Sequence, residues 1–274
     1  MKRKKTGFTL VELLTVLAII TMLVGLLVPS MSMVRRLAKE TKQKAQLTSI
    51  GLALTAFRDE HGDYPPSRNA GPIGNQVWDY CGAQKLAEAL LGRDLLGFHP
   101  QSNWSAIDST FYPLNPDLAN LDARKGRYLE LATASAFKLD ALFDGSTGML
   151  EGNTYVICDV FGAKEITVGG KIVRAGTPIL YYRANTSSKQ MEASGPWDLN
   201  IYNVQDNAQL VVLGKVGNPA ITHPLLDSFY SPDVGVIDPK VAVLWPYRPD
   251  SYILISAGTD GRYGTTDDIT NFGN

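Results

Sequence analysis

One carboxylate near the N-terminus stands where an acidic side chain is costly. Glu12 lies inside a nearly continuous apolar run, residues 8–28, which directly follows the basic cluster Lys2–Lys5. A charged side chain at the centre of a bilayer costs at least about 2.5–3.5 kcal/mol, and the cost falls toward the bilayer edge. An unpaired charge is expensive in such a low-dielectric environment, whereas pairing is worth more there than in water. The position of Glu12 therefore needs a chemical explanation.

A second group of carboxylates lies in the glycine-rich C-terminal stretch ISAGTDGRYGTTDDITNFGN. Asp260, Asp267 and Asp268 follow a predicted strand, and glycines allow backbone carbonyls to turn inward. Calcium takes about six to eight oxygen ligands from carboxylates, carbonyls and water. The spacing fails the EF-hand pattern, because Arg262 stands at the third position and no glutamate stands at the twelfth. The residues alone leave a metal site and a simple polar turn both open.

The sequence shows no recognisable catalytic pattern. The three histidines, His61, His99 and His223, belong to no HExxH or zinc-ligand spacing. No GxSxG elbow, phosphate-binding loop or dinucleotide fingerprint occurs either. We therefore expect a protein that is not an enzyme.

The two cysteines, Cys81 and Cys158, lie far apart in the sequence and form no CxxC pattern. In an oxidising periplasm they could form a disulfide. The alternative is a pair of separate buried thiols. Both alternatives stay open at this stage.

The element that carries Glu12 is long enough to cross a membrane. The 22 residues from Phe8 to Pro29 would span about 33 Å as a helix, against a bilayer core of roughly 30 Å. Three interpretations compete: a plain signal anchor, a secretory signal cleaved near Ser30-Met31-Ser32, and a motif formed by the junction between the basic cluster and the apolar run. The apolar run is longer than an ordinary signal core and contains an acid, which disfavours the second interpretation.

The residues beyond Pro29 predict a continued helix to about His61, kinked near the proline. Its apolar stripe has helical spacing and should pack on a globular domain; it consists of Leu47, Ile50, Leu54 and Phe57. Gly62 and the following DYPP end the helix.

The remainder predicts an α+β domain in which helical segments precede an antiparallel sheet. A helix is expected over 83–92, partial helix over 126–143, and a hairpin turn at Val168–Lys171. Strands are predicted from runs rich in β-branched and aromatic residues: TYVICDVFG, KIVRAGTPILYYRA, QLVVLG, KVAVLWPY and SYILISAG.

Composition limits the function classes. The 274-residue chain is 45% hydrophobic with a formal net charge of −1, which becomes −5 if the four basic residues Lys2–Lys5 are removed. A mildly acidic domain without a basic patch argues against nucleic-acid binding.

The junction KKTGFTLVELL closely resembles that of the type IV prepilin family, including the pseudopilins of type II secretion. The resemblance implies that a membrane-embedded prepilin peptidase cuts between Gly7 and Phe8 and that the new Phe8 amine is methylated. It also implies that Glu12 pairs with the Phe8 amine of a neighbouring subunit and sets the stagger of the filament. The helix would then remain attached to the mature protein.

Two further resemblances point toward the major pseudopilins of type II secretion. RDEHGDYPP resembles the end of their long helix, and SAGTDG…DDI resembles their C-terminal calcium loop. The second resemblance implies calcium held by Asp260, Asp267 and Asp268, with backbone carbonyls near Ser256. The chain is longer than those proteins, and most of its middle region has no counterpart among them.

The sequence therefore predicts a pilin-like subunit with a long N-terminal helix on an antiparallel sheet and an enlarged middle insertion. The expected organisation begins with a leader (1–7), an apolar helix (8–29) and the amphipathic half of the stalk helix (30–62). An irregular or helical insertion (63–153) and a sheet region (154–274) follow. Expected partners are its own copies, other pilins or pseudopilins, the prepilin peptidase and methyltransferase, and an inner-membrane assembly platform with its ATPase.

The expected location is the inner membrane, crossed once, with the C-terminal domain in the periplasm or on the cell surface. A type II secretion pseudopilus is the main prediction. The alternatives are a type IV pilus subunit, major or minor, for adhesion, motility or DNA uptake, and a membrane-anchored surface binding protein that does not polymerise.

Overall fold

The computed structural model describes these parts of the chain, with the backbone only at positions 29 and 30: Gly7, 9–68, 79–188, 200–213 and 246–272. Contacts divide the chain into two compact units, Met1–Thr41 and Lys42–Asn274. Helix α1, Leu10–His61, contributes residues to both units. The predicted long N-terminal helix and the α+β class are thereby confirmed.

The first unit contains the apolar half of α1. Every large apolar side chain described between Leu10 and Leu37 is exposed. By length and composition, α1 is the one described helix that could cross a membrane. Its backbone stays helical through position 29, although a proline removes one backbone donor. Exposed apolar area of this extent is unfavourable in water at about 25 cal/mol per Å², so this half of α1 needs lipid or other helices around it.

The second unit begins with residues 42–61 of α1, which end at Gly62. The Gly62 N–H donates to the Arg58 carbonyl at 2.7 Å, and its φ of +86° favours glycine. The other helices, one of them a 3-10 helix, are α2 (Gly82–Leu91), α3 (Leu118–Ala123), α4 (Leu131–Ala134), α5 (Leu139–Phe143), the 3-10 helix (Val204–Asn207) and α6 (Ala208–Leu213). Helix α2 is buried along its whole length and ends at Gly92, as predicted.

The strands of the second unit form three small antiparallel sheets. They are β1 (Ala136–Lys138), β2 (Tyr155–Ile157), β3 (Lys164–Val168), β4 (Lys171–Ala175), β5 (Leu180–Arg183), β6 (Tyr252–Ser256) and β7 (Ile269–Thr270). The pairings are β1–β2, β3–β4 and β5–β6–β7. The predicted hairpin turn is confirmed between β3 and β4, where Gly169 and Gly170 both have positive φ. Strand β1 lies inside the middle region, 63–153.

The sheet β5–β6–β7 separates two hydrophobic cores. Alternate residues of a strand point to opposite faces, so Tyr181 and Leu254 enter one core while Tyr182 and Ile255 enter the other. The first of these cores also contains the stripe of α1, whose four members Leu47, Ile50, Leu54 and Phe57 are at most 4% exposed. This confirms the predicted packing of the helix on an antiparallel sheet. All five residues of β6 are buried, because both faces of the sheet are covered.

One predicted strand is wrong. Residues 209–213 of the QLVVLG run lie in helix α6. Asn203 caps the preceding 3-10 helix, because its side chain accepts the Gln205 N–H at 3.0 Å, and α6 continues directly from that helix. Leu210 and Val211 are buried while Val212 is 60% exposed, a one-sided burial of consecutive residues that helical geometry allows and a strand does not. Of the predicted strand at 240–247, residues 240–245 lie outside the described residues.

Candidate functional site

Glu12 takes part in a capping box at the start of α1. Its Oε2 accepts from the Thr9 N–H at 2.8 Å and from the Thr9 hydroxyl at 2.7 Å. In return, the Glu12 N–H donates to the Thr9 hydroxyl at 3.3 Å. The T-x-x-E spacing is the sequence signature of this arrangement, so Thr9 is a site residue that the sequence analysis missed although its signal was present.

The capping box orients the Glu12 carboxylate without neutralising it. Both of its donors come from Thr9, which is uncharged, and no cation pairs with the carboxylate among the described residues. The carboxylate is exposed on the surface of α1. In this geometry it can accept an ion pair from outside its own chain.

The predicted processing site is described only in part. Gly7 is exposed, and a Cβ added there would meet nothing within 4 Å. Phe8 lies outside the described residues. Cleavage between Gly7 and Phe8 and methylation of the Phe8 amine therefore stay predictions.

Asp267 closes the C-terminal acidic loop. Its Oδ2 accepts from the N–H groups of Thr259 and Asp260 at 2.6 and 2.9 Å, and its Oδ1 accepts from the Thr265 hydroxyl at 2.5 Å. Burial alone would raise the pKa of Asp267, but these hydrogen bonds outweigh burial and lower it. Gly258 is needed for this closure, because its φ is +64° and a Cβ there would stand 2.1 Å from the Asp267 carbonyl oxygen.

Asp268 is the unsatisfied member of the loop. Its Oδ2 accepts from the Gly264 N–H, whereas its Oδ1 is buried without a hydrogen-bond partner. Burial raises the pKa of Asp268 to about 7, and the nearby carboxylates of Asp267 and Asp260 add to the shift. A buried carboxylate oxygen without a partner is the feature that a bound cation would relieve.

The loop is held against the sheet at both ends. Ser256 is the last residue of β6, pairs with Ile269 of β7, and donates its hydroxyl to Asp159 at 3.4 Å. The buried Tyr263 hydroxyl donates to the Pro178 carbonyl at 2.6 Å. The structure therefore places the predicted ligands on one short loop.

The fit of that loop to a metal ion is partial. Asp260 is half-buried and accepts from the Arg262 N–H at 2.8 Å, and the Asp267 oxygens are used to close the turn. Within the described ranges, no group of three or more His, Cys, Asp or Glu side chains is arranged to hold a metal ion. Asp268 Oδ1 is the buried carboxylate oxygen of the loop that has no hydrogen-bond partner among the described residues.

The two cysteines are separate thiols in the structure. Cys81 precedes α2 and Cys158 follows β2; both are free and buried in the same core. Burial raises the pKa of Cys81 to about 11 and that of Cys158 well above its ordinary value. A disulfide between them in an oxidising periplasm stays a prediction.

Comparison with known proteins finds one family model that matches the N-terminal segment. Residues 2–28 match the family model described as the prokaryotic N-terminal methylation motif. This N-terminal segment is therefore type IV prepilin-like, and the matched residues include most of the leader, the junction and Glu12. No curated protein and no solved structure matches the chain.

The motif supports a pilin-type subunit and does not separate a pseudopilin from a type IV pilin. It implies processing by a prepilin peptidase and assembly with other pilins. The single apolar N-terminal helix fits a single-pass membrane anchor, as in prepilins.

Proposed function

We propose that this protein is a structural subunit of a pseudopilus of the type II secretion kind. It would enter the inner membrane, be cleaved after Gly7, be methylated at Phe8 and polymerise through the first half of α1. A membrane assembly platform and its ATPase would drive polymerisation, and the α+β domain would lie in the periplasm. The protein would act by assembly and not by catalysis.

The observation that carries this proposal is the state of Glu12 within the matched methylation motif. Its own chain orients the carboxylate through Thr9 but supplies no cation among the described residues. The free Phe8 amine of an adjacent subunit is the cation that processing would create. In low dielectric, such a pair forms only when the stagger brings both charges together.

Two features support a pseudopilus over a type IV pilus. The helix end RDEHGDYPP and the C-terminal acidic loop both resemble those of major pseudopilins. Helix α1 ends at His61 within that stretch, and the acidic loop is fastened to β6 and β7. Genes for a secretion ATPase beside this one would favour the pseudopilus, whereas genes for a retraction ATPase would favour the pilus.

Calcium binding by the acidic loop is part of the proposal. Asp268 Oδ1, together with Asp260, Asp267 and carbonyls near Ser256, would supply oxygen ligands. When bound, the ion would neutralise the buried carboxylates and fasten the loop to the sheet, a stabilising role.

Processing is tested directly at the mature N-terminus. Mass spectrometry of the protein from its native membrane should find N-methylated phenylalanine at position 8. An intact Met1, or a start after Ser32, would rule out prepilin processing.

Replacing the acid tests the assembly role. Glu12→Gln keeps the shape and the hydrogen bonds but removes the charge, so we expect normal membrane insertion and about tenfold less filament incorporation, equivalent to about 1.4 kcal/mol. Sedimentation of sheared filaments with immunoblotting measures this. Glu40→Gln is the matched control, because Glu40 pairs with Arg36 on the same helix at 2.7 Å and should assemble normally; equal incorporation of both variants would refute the pairing.

Chelation tests the calcium site. Removing calcium should lower the melting temperature by roughly 5–10 °C if the ion contributes about 2.7 kcal/mol at a hundred times its Kd. Differential scanning calorimetry with EGTA and with added calcium measures this. In Asp268→Asn the chelator should have no effect, and an unchanged wild-type melt would remove calcium from the proposal.

A further inference from the structure

The middle region carries an apolar surface that is exposed among the described residues. Leu114 is 95% exposed, Leu118 is 79% exposed and Leu121 is 37% exposed. Helix α3, which contains the last two, buries none of its residues. We name residues 114–122 the leucine ridge. Leucines at helical spacing normally face a core, so the leucine ridge has the composition of a contact surface.

The leucine ridge is also acidic. Asp117 and Asp122 are exposed on it, and no Lys or Arg occurs from residue 106 to residue 123. The next basic residue, Arg124, has a side chain only 1% exposed and is paired with Asp94. Neither Asp117 nor Asp122 forms an ion pair with the described residues, so the ridge presents leucines beside negative charge.

A groove of opposite charge lies on the second half of α1. It is a cleft of about 500 Å³ between α1 and the residues around β6 and β7, lined among others by Lys44, Leu52, Arg248, Tyr252 and Phe272. Lys44 and Arg248 are its charged lining residues and both are basic. Leu52 is 69% exposed. We name this cleft the cationic groove.

No carboxylate among the described residues forms an ion pair with the two basic side chains of the cationic groove. Lys44 makes no ion pair with the described residues, and the Arg248 Nη1 donates to the Asn271 carbonyl at 2.9 Å rather than to a carboxylate. The Arg248 guanidinium carbon also lies 5.5 Å from the centre of the Tyr252 ring. The groove thus combines exposed apolar surface with free positive charge.

We propose that the leucine ridge of one subunit docks into the cationic groove of a second copy of this chain. The inference rests on the proposed filament and adds a contact between globular domains to the one made by the apolar helices. Leucines of the ridge would cover Leu52, while Asp117 and Asp122 would face Lys44 and Arg248. Because the two surfaces differ, the contact is heterologous and propagates from subunit to subunit instead of closing a two-fold dimer.

Cysteine cross-linking in the full chain tests the contact. Leu52→Cys and Leu118→Cys are introduced together, and membranes from the producing cells are oxidised. A heterologous contact predicts a ladder of dimers, trimers and longer species when both cysteines are in one chain. Mixing the two single variants should give dimers only. The native Cys81 and Cys158 are buried and do not interfere.

A matched variant controls for random collision. Val212 is 60% exposed and belongs to neither surface, so Leu52→Cys with Val212→Cys should give no ladder. Efficient cross-linking through Leu52→Cys alone would indicate a two-fold dimer and overturn the proposal. An absent ladder in the Leu52→Cys, Leu118→Cys chain would overturn it as well.

Charge reversal tests the pairing independently. Neither the Lys44 nor the Asp122 side chain makes a hydrogen bond or ion pair within the described residues, so both can be reversed without disturbing the fold. Lys44→Glu and Asp122→Lys should each reduce the ladder at least threefold, and the two together should restore it. A ladder indifferent to these changes would overturn the charge complementarity.

The filament and the docking contact can fail separately. Sedimentation of sheared filaments reports polymerisation without any cysteine. Sedimenting polymer without a ladder would remove the docking contact and leave the filament intact. A ladder without sedimenting polymer would support the docking contact and remove the proposed filament.

Discussion

At the residue scale, the second unit buries a charge that depends on a single acid. The Arg124 Nη1 lies 2.5 and 2.6 Å from the two Asp94 oxygens. Its Nε donates to Asn120 at 2.9 Å, and the Tyr112 ring centre lies 5.0 Å from the guanidinium carbon. Removing one partner of a buried ion pair is strongly destabilising, because the other charge stays buried without compensation. Asp94 thereby fastens the end of α3 to the loop after α2.

Neutralising Asp94 should reveal this dependence. Asp94→Asn leaves the guanidinium in place without its counter-charge, and we expect a loss of about 3 kcal/mol in the free energy of unfolding. Glu165→Gln is the control, because Glu165 and Arg174 are 3.4 Å apart and largely exposed, where a pair is worth less than about 1 kcal/mol. Urea denaturation of the full-length variants in detergent measures both. Equal losses would show that burial of Arg124 does not matter.

At the element scale, the second half of α1 docks through polar as well as apolar side chains. Gln46 Nε2 donates to the carbonyls of Thr133 and Cys158 at 2.8 and 3.0 Å. The Val160 N–H donates to Gln43 Oε1 at 3.0 Å. Both glutamines are buried at helical spacing from the leucines of the stripe, so they continue the docking face toward the N-terminus. The helical period of the sequence predicts only the apolar part of this face.

Helix periodicity makes a matched pair of substitutions possible on α1. Leu54 is fully buried and Leu52 is 69% exposed. Leu54→Ala should lower the free energy of unfolding by about 3 kcal/mol through lost burial and the resulting cavity. Leu52→Ala should change it by less than about 0.5 kcal/mol. Denaturation midpoints compare the two, and a large effect of Leu52 on the unassembled protein would contradict its exposure.

At the scale of the whole molecule, the interior holds two thiols that the expected compartment could oxidise. Cys81 and Cys158 share one core with β5 and β6, and burial raises the pKa of both thiols. The thiolate is the reactive form. Their protection therefore depends on the folded state of the second unit.

Thiol reactivity should report global unfolding. Folded protein should not react with a thiol reagent, denatured protein should react at both positions, and a reductant should leave the melting temperature unchanged. A mass 2 Da lower than expected, with a stability loss of about 2–4 kcal/mol on reduction, would instead establish a disulfide. Mass spectrometry and calorimetry on the same sample separate the outcomes.

Features encoded locally were predictable from the sequence. The basic leader, the apolar run and Glu12 lie close together in the sequence, and residues 2–28 alone match the methylation motif. The stripe of α1 and the stops at Gly62 and Gly92 follow from helical period and from backbone freedom. These features need no distant contact to exist.

Tertiary contacts decided the rest. β-branched residues at 209–213 became helical because Leu210 and Val211 found a core on one side. Folding brought the two cysteines into one core, and it left one oxygen of Asp268 buried without a partner. Exposure identified the leucine ridge. A sequence pattern states which side chains are apolar or charged, but only the folded chain decides which of them it covers, because that depends on residues far away along the chain.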